Sequence, residues 1–119
     1  MTAKSLAKKV AHHAVEKKAE NIILLNLRPL TSMTDFFVIC TGSTSTHVKA
    51  ISDHIIDTLK KEKIRPLHVE GLRNQEWVLV DYVNVVVHIF QPDKREFYSL
   101  ERLWGDAEME EIKDESVER

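Results

Sequence analysis

A chain of 119 residues with 43% hydrophobic and 30% charged residues is sized for one domain around a single core that needs no disulfide or metal staple. The lone cysteine, Cys40, cannot close an internal bridge; with no apolar leader and no apolar run of membrane-spanning length, the expected setting is reducing and cytoplasmic, without a membrane. The formal net charge of −2 is unevenly spread: seven acids from Asp106 onward face only Lys113 and Arg119, and the mildly basic body is too weakly biased to bind DNA or free RNA unaided.

In chain order, Leu6, Ala7, Val10, Ala14 and Val15 recur at helical spacing and predict a helix over 4–18. Ile22 to Leu27 reads as a strand, and Pro29 in the following turn cannot continue a ladder. Asp35 to Thr41 is a second buried strand closed by Gly42-Ser43. Thr44, Ser45 or Thr46 then caps a long helix whose apolar stripe is Val48, Ile51, Ile55, Ile56 and Leu59. Three short strands follow, at roughly 66–71, 76–82 and 85–91, and Lys94 to Trp104 reads as a short helix or arm. The order α-β-β-α-β-β-β-(α) predicts a two-layer α/β fold, a mixed sheet of about five strands with helices mainly on one face. The expected organisation is one domain over 1–105 followed by a flexible acidic tail over 106–119.

The hairpin sorts its own side chains. With Val83-Asn84 as the turn, Tyr82 pairs with Val85, and alternation puts Val78, Val80, Tyr82, Val85, Val87 and Ile89 on one face. The other face receives Trp77, Leu79, Asp81, Val86, His88 and Phe90. The first is apolar and must meet the helices. Two long helices cover only one side of such a sheet, so the second face is either a contact surface or a patch covered by the terminal arm. Val83 fits poorly where a left-handed conformation is required, so the face assignment hangs on that turn.

Chemistry is sparse by spacing. His12 and His13 are adjacent and diverge on a helix, His47 and His54 are two turns apart, and no Cys-x-x-Cys or His-Glu-x-x-His occurs, so no metal site is expected. Cys40 lies in an apolar strand, where cysteine is inert, and Ser43 and Ser45 read as caps rather than nucleophiles. Nucleotidyl transfer is the strongest enzyme reading: Gly42-Ser43 opens a helix, His68-Val69-Glu70 stands where alternating carboxylates would, and Asp81 could be a third member. A histidine in place of a hard oxygen ligand suits magnesium badly. The layout is that of a nucleotidyltransferase without its metal chemistry, so no enzyme and no cofactor are expected, with a degenerate nucleotidyltransferase that keeps residual nucleotide binding at Gly42-Ser43, His68, Glu70 and Asp81 as the alternative.

The run Glu70-Gly71, Trp77, Asp81-Tyr82, Val85 to Phe90, Arg95, Tyr98, Leu100-Glu101 and Leu103-Trp104 resembles the Iojap-like family of ribosomal silencing factors. Thr34 to Ile39, Gly42-Ser43-Thr44 and His47 to Ile51 match the same family, so the resemblance covers nearly all of 4–105. One departure is visible: the family usually carries a glycine at the turn held here by Val83-Asn84. The resemblance implies a nucleotidyltransferase-like fold and a factor that binds the large ribosomal subunit through ribosomal protein L-fourteen, with nearby rRNA. It would block joining of the small subunit, repressing translation under nutrient limitation, and would be a homodimer when free. Organelle relatives assist large-subunit assembly, which keeps an assembly factor open as an alternative. Carried over to this chain, the partner-binding residues are Trp77, Leu79, Asp81, His88 and Phe90 on the sheet, with Arg95, Tyr98, Glu101 and Trp104 on the arm. In that reading Trp77 and Phe90 are anchors, Asp81 and Glu101 accept hydrogen bonds, and Arg95 pairs with a carboxylate or phosphate. Alternatively, Arg95 and Glu101 bridge the arm to the sheet, and His88 is scaffold.

Overall fold

A computed structural model of the chain describes residues 1–113. Helix α1 runs Ala3–Glu16 from an N-cap at Thr2, whose side chain accepts from the Ser5 N–H. Helix α2 runs Ser45–Lys61 from Thr44, whose hydroxyl accepts from the His47 N–H. Strands β1 (Glu20–Asn26), β2 (Phe36–Thr41), β3 (His68–Glu70), β4 (Trp77–Asp81) and β5 (Val85–Phe90) fall where the sequence places strands. The arm forms two short helices, α3 (Pro92–Tyr98) and α4 (Leu100–Leu103), joined at Ser99 in a left-handed conformation (φ 47°).

A sixth strand, β6 (Glu108–Ile112), corrects the expectation of about five. The sheet order is β3-β4-β5-β2-β1-β6, with β2 and β5 parallel and the other pairs antiparallel. β6 was hidden because Glu-Met-Glu-Glu-Ile has neither β-branched enrichment nor a buried face apart from Ile112; its strand character comes from the ladder to β1. Its carboxylates suit an edge, where charge discourages further strand addition, and Glu110 meets Lys8 of α1 at 2.6 Å. Part of the stretch read as a tail is therefore sheet, and 114–119 lies outside the described residues.

The core is built as the alternation requires. Val78, Val80, Tyr82, Val85, Val87 and Ile89 pack with Ala7, Val10 and Ala14 of α1 and Val48, Ile51, Ile55 and Leu59 of α2. Each fully buried valine, leucine or isoleucine there contributes about 1.5–3 kcal/mol. The opposite face has a smaller cluster of Ile23, Leu25, Leu27, Ile39 and Phe90, against which Leu100, Trp104 and Ala107 of the returning arm pack. The arm thus covers one portion of the second face and leaves another open.

The weak turn holds. Tyr82 N–H donates to the Val85 carbonyl at 2.8 Å, and Asn84 N–H donates to the Tyr82 carbonyl at 2.9 Å. This closes a γ-turn centred on Val83, whose φ is 73°. The Asp81 carboxylate accepts the Val83 N–H at 2.7 Å and supports the turn from one side. A β-branched residue at positive φ is strained by about 1–2 kcal/mol. Replacing the half-exposed Val83 by glycine should therefore raise stability by about 1 kcal/mol after the added chain entropy is subtracted. Urea denaturation checks this; an unchanged or lower midpoint would show that the turn is relaxed.

Candidate functional site

The open part of the second face is a cleft of about 380 Å³. Phe37, Leu79, Val86 and His88 supply strand residues, Thr34 and Asp81 flank them, and Met33, Leu67, Val83 and Trp104 complete the walls. Alternation dictates this set: Leu79 pairs with His88, Asp81 with Val86, and Val86 with Phe37 across β4, β5 and β2. Met33 is 85% exposed and Leu67 73%, so the cleft has an apolar surface facing water.

An aromatic assembly continues from the cleft under the arm. Trp77 stacks on Phe90 (5.0 Å between centroids, 25°) and meets Tyr98 of α3 at 4.6 Å. Phe37 meets His88 edge-on at 4.5 Å and Trp104 at 6.1 Å. The Trp77 indole N–H donates to His88 Nδ1 at 3.1 Å, so the neutral His88 ring carries its proton on Nε2. Nε2 is buried without a hydrogen-bond partner, and burial pulls the His88 pKa from 6.5 down to about 4. Gly71 sets the approach to this assembly: its φ is 88°, and a Cβ there would sit 1.9 Å from the Trp77 carbonyl oxygen.

The candidate residues separate into three kinds. Leu79 and Asp81 line the cleft, half-buried, while Trp77 and Trp104 are half-buried and Tyr98 is exposed. Phe90 is fully buried and His88 nearly so, which for His88 matches the scaffold alternative: they form the floor on which Trp77 rests. Arg95 and Glu101 are tied within the chain. Arg95 Nη1 donates to the Asn21 carbonyl at 2.6 Å and the Thr41 hydroxyl at 2.9 Å, and its Nε meets Glu101 at 3.2 Å. The arginine thus clamps the arm to β1 and β2. Sequence alternation missed Met33, Leu67 and Thr34, which come from loops and carry no periodic signal.

The nucleotidyl-transfer set is brought together only in part: His68 pairs with Asp81 and Glu70 with Leu79 across β3 and β4, but Gly42-Ser43 lies apart from them. Gly42 follows the Thr41–Phe90 pair at one end of the sheet, whereas Asp81 pairs with Val86 near the other, about 16 Å away along the strands at ~3.3 Å per residue. The Ser43 N–H already donates to His47 Nδ1 at 2.9 Å, His68 sits 3.5 Å from Glu70, and Asp81 is engaged by the turn. Cys40 is fully buried with its thiol pushed up to about 12 by burial, as inert as its strand setting implies.

A family model described as "Ribosomal silencing factor during starvation" matches residues 1–119. The ribosomal silencing factor RsfS of Bacillus subtilis is 38% identical over 112 residues, which span 94% of this chain and 95% of that protein. The mouse protein named mitochondrial assembly of ribosomal large subunit protein 1 is 32% identical over 92 residues, 75% of this chain and 40% of that one. A crystal structure of a Chromobacterium violaceum protein superposes with a TM-score of 0.82 at 36% identity, covering 88% of each chain. Motif run, six-stranded architecture and a family match over the full length agree, and this chain belongs to the ribosomal silencing factor (RsfS, Iojap-like) family.

Proposed function

We propose that this protein acts in the cytoplasm on the large ribosomal subunit, docking at ribosomal protein L-fourteen through the cleft face and sterically preventing the small subunit from joining. The observation that carries the reading is the apolar cleft itself, left open on a sheet whose other face is fully used by helices. Leu79 and Val86 would take an apolar anchor from the partner, and the exposed Leu67, Met33, Tyr98 and Phe97 would widen the contact. Nothing in this reading requires catalysis. The silencing names of its relatives and the large-subunit name of the mouse relative support the class of partner. Homodimerisation in the free state belongs to the same reading, because a second copy would remove an apolar surface of this type from water; sedimentation equilibrium tests it.

Sucrose-gradient sedimentation with purified subunits tests the function. Added to mature subunits, the protein should travel with the large subunit and reduce the joined peak. Leu79→Glu places a charge in the cleft, and Tyr98→Ala trims the rim. Leu79→Glu should weaken association at least about thirtyfold, the equivalent of a 2 kcal/mol contact. Joining that proceeds undiminished at saturating protein would overturn silencing and leave assembly of the large subunit as the role.

A further inference from the structure

A second cluster lies across the sheet from the cleft, in the helix layer, where α1 crosses α2. Among the described residues, His13, Glu16 and His54 form a group of potential ligands whose donor atoms all lie within 4.8 Å of one another. His13 and Glu16 are one turn apart on α1 and so share a face, and α2 brings His54 to them. His13 Nδ1 and His54 Nε2 each stand 2.9 Å from the same oxygen, Glu16 Oε1. The two imidazoles meet at 87° with centroids 5.7 Å apart, so their nitrogens converge from perpendicular planes.

We propose that His13, Glu16 and His54 form a binding site for a zinc-like divalent transition ion that fastens α1 to α2. The nitrogen–oxygen edges of 2.9 Å need to open to about 3.3 Å, and the nitrogen–nitrogen edge, which lies within 4.8 Å, to settle at the same value, the spacing of ligands around a tetrahedral ion held at 2.0–2.1 Å. Two imidazoles and one carboxylate suit zinc, cobalt or nickel, whereas magnesium and calcium require an oxygen shell. Three protein ligands leave the fourth position to water. The remaining nitrogen of His54, Nδ1, lies 3.5 Å from the Thr58 hydroxyl, an outer partner of the type that orients a ligating imidazole. Spacing within a single helix misses this set, because its closing member lies 38 residues from Glu16 on another helix.

The full chain, stripped with chelator and titrated with zinc chloride by calorimetry, should bind one equivalent in the micromolar range or tighter. Zinc should also raise its melting temperature by linkage. Glu16→Gln and His54→Gln should each weaken binding at least about tenfold and abolish the thermal shift. The half-exposed His47, whose ring bonds the Lys17 carbonyl and Ser43, serves as the control, and its glutamine variant should bind as the parent does. With cobalt, absorption should show tetrahedral ligand-field bands and no thiolate charge transfer, since the buried Cys40 takes no part. Saturation only above millimolar zinc, or one-equivalent binding that survives Glu16→Gln, overturns the proposal. Glu16 is exposed, so that variant remains folded and decides the matter even if His54→Gln does not.

Discussion

Trp77→Ala should lower the stability of the domain by about 3 kcal/mol, a fall of about 10 °C in Tm. The indole is only half-buried, yet it is the hub of the aromatic assembly, stacked on Phe90, set against Tyr98 and bonded to His88. Truncation removes these contacts and leaves His88 Nδ1 buried without its donor, which adds about 1 kcal/mol. Trp77→Phe keeps the stacking and loses only the N–H, so it should cost about 1 kcal/mol. Chemical denaturation of the two variants separates packing from the hydrogen bond. If Trp77→Ala melts with the parent, the indole is a free contact side chain and the assembly adds nothing to the fold. The same expectation explains why Leu79 and Tyr98, rather than Trp77, are the cleaner probes of ribosome binding: a Trp77 variant would lose binding for structural reasons as well.

Stability should also fall as pH drops from about 6.5 to about 4, and His88 should be a principal cause. Its folded pKa is about 4 against 6.5 in the unfolded chain, because burial disfavours the imidazolium. Above pH 6.5 neither state carries the proton, and the shift has no effect. Below it the unfolded chain binds a proton that the folded one refuses, so unfolding becomes easier by up to about 1.4 kcal/mol per pH unit. The loss saturates near pH 4 at about 3 kcal/mol. His88→Gln retains an acceptor for the Trp77 indole but cannot titrate. The difference between parent and variant, measured by urea denaturation at intervals from pH 7.5 to 4, should show a slope confined to that window. A parallel pair of curves would mean that the imidazole is solvated in the folded state. Glu16 acts in a separate window: its depressed pKa favours the folded state above 4.5, and that contribution is lost as pH falls toward 2.

Much of this protein is legible in one dimension. The 3.6-residue stripes of α1 and α2 and the strict alternation of Val78 to Ile89 placed the core face correctly, because both patterns follow from local geometry. The second face was legible as a set of residues but not as a surface. Whether Trp77, His88 and Phe90 meet solvent depends on where the arm returns, and that is decided by Arg95 reaching Asn21 and Thr41 across 74 and 54 residues. β6 was invisible for the same reason: Glu108–Ile112 has no strand pattern of its own and becomes a strand only by completing the ladder of β1. The His13, Glu16 and His54 cluster exists only at a helix crossing. Sequence alone determined the two long helices, the first five strands, the buried face and the family run, since these rest on periodicity and local chemistry. Only the tertiary structure decided which half of the second face stays open, because long-range contacts assign burial, and no spacing along the chain encodes them.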